Sequence, residues 1–437
     1  MHDTTGHPDH LCTRRLFLQR GLTFLSLAAT TPLFIERSAR ALAPPEGSLL
    51  SNRPGVPEDR VLVIVQLSGG NDGLNTVIPY GSSEYYKLRP GLAVPAPNAS
   101  GVDSGSRALP LQPASGLGLH PSLAELKDLF DDGAASIVQG VGYPNPNRSH
   151  FTSMDIWHTA DPNARGDGWI GRYFDHTCEG EPDPEGAVSI GRTAPRALLG
   201  ATNRPVSFEN AELFRWLGED VHESLEAPYD RINRAEPPAN IDPDSQRAFL
   251  MRTALNAQVS SDRIRKAVAQ RPLVSYPRNP LSAQLQTVAA LIRGGMNTRV
   301  YYVSQGGFDT HAGQAGRHAS LLRQLAGALK AFHADLKAQD NAGRVLTMVF
   351  SEFGRRVAQN ASGGTDHGTA APMYFVGDPV RPGVLGDHPS MARLDQGDLV
   401  FNVDFRCIYA AILEDWMGAD AAATLGRPFR KAKIIKA

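Results

Sequence analysis

The run Val61-Leu62-Val63-Ile64-Val65-Gln66-Leu67 constrains this chain more than any other stretch. Seven residues, largely β-branched and without polar alternation, predict a strand covered on both faces, as in a parallel sheet held between helices. The strand gives way at once to Ser68-Gly69-Gly70-Asn71-Asp72-Gly73, a turn at its carboxyl end. Later segments repeat the arrangement. Ser136-Ile137-Val138-Gln139-Gly140-Val141 leads through a Pro/Asn loop to a helix starting near Ser149. Arg299-Val300-Tyr301-Tyr302-Val303 stops at Ser304-Gln305-Gly306-Gly307-Phe308-Asp309, and Val345-Leu346-Thr347-Met348-Val349-Phe350 stops at Ser351-Glu352-Phe353-Gly354-Arg355. Behind the third strand, Leu321, Leu322, Leu325, Leu329, Phe332 and Leu336 fall on one helical face. Strands alternating with helices predict a mostly parallel sheet with helices on both faces. Ligands of such sheets bind outside the carboxyl ends of the strands, where the acidic residues of this chain gather.

The amino terminus reads differently. Arg14-Arg15-Leu16-Phe17-Leu18 precedes a moderately apolar stretch from Gly21 to Phe34 and the small-residue run Ser38-Ala39-Arg40-Ala41-Leu42-Ala43. That order is expected of a removable leader, and the arginine pair marks the twin-arginine route. Thr and Pro interrupt the apolar stretch, which falls short of the ~20 residues of a spanning helix. The expectation is a leader over residues 1–43, the twin-arginine translocase as partner during export, a periplasmic or secreted destination and no stable membrane insertion. Residues 44–60, rich in Pro, Gly and Ser, read as a linker. The chain carries 44 basic and 45 acidic residues; without the five basic and three acidic residues of the leader, 39 stand against 42. That balance argues against nucleic acid or an anionic membrane as partner. Cys178 and Cys407 are too few and too far apart to define a disulfide framework or a metal motif, although they could pair. The segment 180–290, rich in Pro and charge with a helical stretch around Ser245 to Ala269, reads as an insertion or cap.

Five motifs carry chemistry. Asp72, flanked by glycine after a buried strand, can project into a strand-end crevice, or can serve the turn alone. Asp309-Thr310-His311 sets a carboxylate and an imidazole two residues apart, on one side of an extended segment, where both can grip one metal ion. Glu352 occupies the equivalent place after the next strand, with a salt bridge to Arg355 as the structural alternative. Asp366-His367-Gly368, opened by Gly363-Gly364 and followed by the strand Met373-Tyr374-Phe375-Val376, suits a ligand loop. Ser149, after Pro146-Asn147-Arg148, is a helix N-cap whose hydroxyl lies where free backbone N–H groups hold an anion; simple capping is its ordinary role. Together they describe a metal-assisted nucleophilic site, with oxygen and imidazole ligands that suit zinc, manganese, calcium or magnesium.

The set Leu67-Ser68-Gly69-Gly70-Asn71-Asp72-Gly73-Leu74-Asn75, Asn147-Arg148-Ser149-His150-Phe151 with Asp155-Ile156-Trp157, Gly307-Phe308-Asp309-Thr310-His311, Ser351-Glu352-Phe353-Gly354-Arg355 and Thr365-Asp366-His367-Gly368 resembles the DUF1501 family over essentially the whole mature chain. That family is similar in turn to the alkaline phosphatase and sulfatase superfamily. The resemblance implies an alkaline phosphatase-like three-layer α/β/α sandwich with a mostly parallel central sheet and metal at the carboxyl edge. By this analogy Ser149 is the nucleophile and Asp72 the first metal ligand, with Asp309, His311, Glu352, Asp366 and His367 as the later ligands. Asn71, Arg148, His150 and Arg355 are the expected substrate contacts.

The sequence also departs from that superfamily. Its first later Asp and His are usually four apart, not two, with His318 as a substitute; its second pair is usually Asp-His, where this chain has Ser351-Glu352. The Cys-X-Pro-X-Arg sulfatase signature is absent. One metal ion, or binding without turnover, is compatible with what remains. The expected function is an exported metal-dependent hydrolase or transferase acting on a small-molecule phosphate or sulfate ester through Ser149. The alternative is an exported binding or assembly protein that keeps the fold.

Overall fold

A computed structural model of the chain describes residues 60–177, 184–203, 205–210 and 261–436. The expected leader at 1–43, nearly all of the expected linker, Cys178 and the greater part of the expected helix at 245–269 lie outside the described residues. The chain divides into two units, one comprising Met1–Arg40 and Asn210–Asp262, the other Ala41–Glu209 and Arg263–Ala437. The expected insertion is therefore drawn differently at its edges. Ala187–Ile190 and Val206–Phe208 join the central sheet of the larger unit, and Pro280–Arg293 is one of its helices.

The larger unit is built on a sheet of nine strands. In chain order the elements that place the site are β1 (Val61–Leu67), α1 (Ala124–Asp131), β2 (Ala135–Gly142), α2 (His150–Thr159), α3 (Trp169–Thr177), β3 (Ala187–Ile190) and β4 (Val206–Phe208). They continue with α4 (Pro280–Arg293), β5 (Val300–Gln305), α5 (Gln314–Ala338), β6 (Val345–Ser351), β7 (Ala371–Val376), β8 (Gly383–Leu385), β9 (Leu394–Asp395), β10 (Asp398–Leu399), β11 (Val403–Asp404) and α6 (Phe405–Ala411). The sheet runs β8-β2-β7-β6-β1-β5-β3-β4, with β11 beside β2. All neighbours pair in parallel except β7, which runs antiparallel to both β2 and β6. This is the mostly parallel α/β sheet that the strand-helix alternation predicts.

Burial explains the unbroken apolar run of β1. Leu62 and Ile64 face a cluster holding Trp157, Trp169, Phe405 and Tyr409, in which Trp157 stacks on Phe405 at 4.3 Å and Trp169 on Tyr409 at 4.1 Å. Val61, Val63 and Val65 point the other way and are equally buried. A second layer is thus required, and α4 and α5, packed on each other, supply it. Leu322, Leu325, Leu329, Phe332 and Leu336 are buried along α5, as their spacing predicts. Each such side chain contributes about 1.5–3 kcal/mol on burial.

Three histidines are enclosed with this core. Burial pushes His120 down to about 3 and His158 and His318 down to about 4. His158 meets the Tyr302 hydroxyl at 3.1 Å, and the His120 ring accepts the Ser122 N–H at 3.1 Å. An unfolded chain protonates these groups near 6.5, while the folded one resists, so their contribution is complete above that pH and is lost on acidification. Urea midpoints are expected to fall between about pH 6.5 and 4.5, by about 1.4 kcal/mol per pH unit for each histidine. An unchanged midpoint from pH 7 to pH 5 would show that these rings are not held neutral.

Candidate metal centre

The register of the sheet brings the candidate loops together. Leu67 of β1 pairs with Gln305 of β5 on one side and with Ser351 of β6 on the other, so three carboxyl ends finish level. The antiparallel β7 begins at the same edge, which delivers the loop carrying Asp366 and His367. Two glycines allow the loops to close on one another. Gly69 has φ +117°, and a Cβ there would lie 2.4 Å from the Asp309 nitrogen; Gly70 has φ +74°, and a Cβ would lie 2.4 Å from the Phe353 ring.

Three imidazoles meet one carboxylate oxygen at this edge. Asp309 Oδ1 lies 2.9 Å from His311 Nε2, 3.2 Å from His367 Nε2 and 3.6 Å from His150 Nε2. His311 and His367 bring their Nε2 atoms within 3.0 Å of each other. Each ring is held through its other nitrogen. His150 Nδ1 bonds Glu352 Oε1 at 2.7 Å, His311 Nδ1 bonds Asp366 Oδ1 at 3.0 Å, and His367 Nδ1 donates to the Arg148 carbonyl at 2.8 Å. The Phe353 ring packs against His150 at 5.0 Å and His367 at 4.8 Å.

The acceptors on the Nδ1 side select the Nδ1–H tautomer, which leaves three Nε2 lone pairs and a carboxylate facing one space. Lone pairs at 3.0 Å repel unless a proton or a cation lies between them. His150 Nε2 is buried without any hydrogen-bond partner, although its ring is correctly held. An orphaned buried nitrogen costs about 1–3 kcal/mol unless a ligand takes it up. The donor set fits a divalent ion: His150, Asp309 and His367 offer atoms within 4.8 Å of one another, and His311 Nε2 lies beside two of them, 2.9 Å from Asp309 and 3.0 Å from His367. Carboxylate and carbonyl partners on the far nitrogens complete the usual outer shell of such a centre.

Asp309 is itself positioned by Arg355, which donates to its Oδ1 at 2.7 Å. Burial alone would raise the Asp309 carboxyl, but the hydrogen bond and the positive charge of Arg355 outweigh it and hold it at about 2. It is anionic at any working pH.

Several expected roles change. Asp72 does not reach the centre. It is fully buried, paired with Arg89 Nη1 at 2.6 Å, and accepts from Gln314 and the Asn75 N–H. Burial disfavours its charge, but Arg89 overcomes this and lowers its pKa. Asn71 is buried too, accepting from His318 at 2.9 Å and Thr76 at 3.1 Å, so it presents nothing to a substrate. His318, the candidate substitute ligand, is spent on that contact. The Arg355 side chain donates to the Gly69, Gly70, Phe308 and Thr365 carbonyls as well as Asp309, and its complete burial withdraws it from a substrate. Glu352 and Asp366 stand behind histidines rather than in the ligand set, whereas His150, expected to touch substrate, enters that set. The Arg148 guanidinium pairs with Asp398. Ser149 caps α2 with an exposed residue whose side chain makes no capping bond; its N–H is held by Asn147 Oδ1 at 2.8 Å.

Sequence reasoning missed Arg89 and Asp398. Neither carries a local signal: Arg89 lies seventeen residues from its partner and Asp398 lies 250 residues from Arg148. Asn360, which donates to Asp366 Oδ1 at 3.2 Å and to the His311 carbonyl at 2.9 Å, was likewise unmarked.

Fold and site together define a three-layer α/β protein with a histidine and carboxylate centre at the carboxyl edge of a mostly parallel sheet. The chain belongs to the DUF1501 family, described as a protein of unknown function, whose sequence profile matches residues 59–430. No curated protein matches it in sequence. Among solved structures it is similar to an alkaline phosphatase from the Antarctic bacterium TAB5, at 10% identity over 75% of this chain and 94% of that one, TM-score 0.28. The C-terminal periplasmic domain of EcEptC from Escherichia coli, in complex with Zn, aligns at 8% identity over 76% and 78%, TM-score 0.31. The lipoteichoic acid synthase LtaP from Listeria monocytogenes aligns at 9% identity over 80% and 73%, TM-score 0.29. Among the described residues, no helix is long and apolar enough to cross a membrane.

The two carboxylates that exchange roles separate by experiment. Arg89→Met is expected to cost about 3–5 kcal/mol in urea unfolding, because Asp72 is left buried and unpaired, while metal content per folded chain stays constant. Glu352→Gln is expected to weaken metal binding about 10–100-fold in a chelator competition. The opposite pattern, with metal lost in Arg89→Met and kept in Glu352→Gln, would return Asp72 to the ligand set.

Proposed function

We propose that this protein is an exported, metal-dependent hydrolase or transferase of phosphate or sulfate esters, with Ser149 as nucleophile. One observation carries the reading. The orphaned His150 Nε2 stands with Asp309, His311 and His367 in one donor set, and the residue before His150 is a helix-capping serine with an uncommitted hydroxyl. His150, Asp309, His311 and His367 would hold the ion. Three imidazoles and one carboxylate favour zinc or manganese over calcium and magnesium, which prefer all-oxygen shells. When bound, the ion supplies Lewis acidity toward a phosphoryl or sulfuryl oxygen.

The chain's own groups do the remaining work. Ser149 Oγ attacks phosphorus or sulfur while the ester bond to the alcohol breaks and the serine proton passes to the departing oxygen; water or a second alcohol then displaces Ser149 from the phosphoryl or sulfuryl group and returns a proton to its oxygen. Backbone N–H groups in the first turn of α2 and the positive end of its dipole favour the anionic group at that place. Arg355 and Glu352 keep Asp309 and His150 at fixed positions throughout, so little reorganisation accompanies the reaction. The twin-arginine translocase would carry the chain out already folded, and a small-molecule ester is the proposed partner.

A second reading, an exported binding protein with the same centre and no turnover, is favoured by the single donor set among the described residues, where the resemblance to the alkaline phosphatase superfamily implies two metal ions. Both are tested together by metal analysis of the purified protein and turnover of aryl phosphate mono- and diesters and aryl sulfates. Ser149→Ala is expected to retain the metal and lose at least about 10³-fold in kcat. His367→Ala is expected to lose both metal and activity. Metal-loaded protein inert toward the whole panel supports the binding reading, and activity that survives Ser149→Ala removes the serine from the mechanism.

A further inference from the structure

Beside the centre lies a cavity of about 380 Å³, lined by Tyr143, Arg148, Glu352, Phe353, Asp398 and Val400 among others. A larger cavity of about 520 Å³ is lined by Arg381, Cys407, Arg430 and Lys433, and none of the four donor residues lines either cavity. What the smaller one shares with the centre is two residues that hold its histidines in place, Glu352 and Arg148. Glu352 lines it and also holds His150. Arg148 links the two directly: its carbonyl accepts from His367 Nδ1 at 2.8 Å, and its Nε donates to Asp398 Oδ2 at 2.9 Å.

Asp398 is the telling group. It is 1% exposed, its Oδ2 is taken by Arg148, and its Oδ1 is buried with no hydrogen-bond partner. Arg356 Nε stands 4.0 Å away, beyond hydrogen-bond reach. Across the β9-β10 hairpin Asp398 faces Asp395 directly, an arrangement that costs stability when both are charged. A buried carboxylate oxygen without a donor is expensive, and a ligand group that donates to it would relieve that cost. The walls carry Glu352, Asp395 and Asp398 against Arg148, so an anionic ligand portion is disfavoured. Val400 is 47% exposed on the lining, and Phe151, 87% exposed, follows His150 at the start of α2.

We propose that this cavity receives the alcohol portion of the ester, a ring bearing a hydroxyl or ammonium group that donates to Asp398 Oδ1. Asp398 is thus a specificity-determining residue. This rests on the ester-cleavage reading, and the experiment keeps the two apart. Wild-type protein would be assayed on phenyl phosphate and on its 4-hydroxymethyl, 4-aminomethyl and 4-carboxy derivatives. In parallel, ligand-observed NMR would measure binding of 4-(hydroxymethyl)phenol against 4-methylphenol, with no turnover needed.

The donor-bearing rings are expected to exceed the carboxylate-bearing one by at least about tenfold in kcat/KM, and the hydroxymethyl phenol to outbind the methyl phenol by a similar factor. The ranking of hydroxymethyl against aminomethyl tells hydroxyl from ammonium. Asp398→Asn, whose oxygen stays on Arg148 and whose amide donors turn into the cavity, is expected to erase the discrimination while metal content is kept. Val400→Trp, at an exposed wall position, is expected to raise KM for all ring substrates and weaken phenol binding several-fold. Selective phenol binding without ester turnover would uphold the cavity and overturn the ester reading. Ester turnover with equal preference in wild type and Asp398→Asn, or binding unaffected by Val400→Trp, would overturn the cavity assignment.

Discussion

The guanidinium of Arg355 is the interaction on which the carboxyl edge of the sheet depends. It is buried, and it donates to the carbonyls of Gly69 and Gly70 after the first strand, of Phe308 after the next parallel neighbour, and of Thr365 ahead of the antiparallel strand, with the Asp309 carboxylate as its charged partner. A cation with this many oriented acceptors is stable in a low-dielectric interior, whereas the same cation with one acceptor missing is costly. Three loops, the first of them 285 residues from Arg355, are therefore held as one body, and Asp309 projects from that body as a fixed anion. The three imidazoles gather around an oxygen whose position was set from behind.

Asp72 and Asp309 show how neighbours divide residues of the same type. Each follows a strand and a glycine turn, and each has a depressed pKa. Asp72 is enclosed with Arg89, Gln314 and the Asn75 N–H, and its charge is neutralised by a partner that no solvent or ligand can displace. Asp309 has only one face against Arg355 and leaves its side chain 47% exposed toward the histidines. The first carboxylate is spent on the fold, and the second is available for chemistry. Glu352 and Asp366 take a third role, orienting imidazoles through Nδ1.

Much of this was legible in the chain itself. The unbroken aliphatic runs and the periodicity of 321–336 carried the parallel sheet and its covering helix, because burial on both faces tolerates no polar alternation. The gathering of polar motifs at strand ends told which loops would meet, since loops at one edge of a parallel sheet are necessarily neighbours. Asp309, His311 and His367 were legible for that reason. The place of His150 was not, because at the first position of a helix its side chain could point to solvent, and Glu352, just past the end of a distant strand, turns it inward.

What the sequence by itself determined is the composition of the edge: which strands are wholly apolar, where they stop, and which acids and imidazoles follow them. What only the tertiary structure decided is the division of labour among those groups. Local pattern sets burial and direction over a few residues, but the state of a carboxylate or imidazole depends on charges and hydrogen bonds within a few ångströms, supplied here from far along the chain. Arg89 made Asp72 structural, Arg355 made Asp309 an anchored anion, and the Arg148 carbonyl aimed His367; none of these pairings has a signature in sequence spacing.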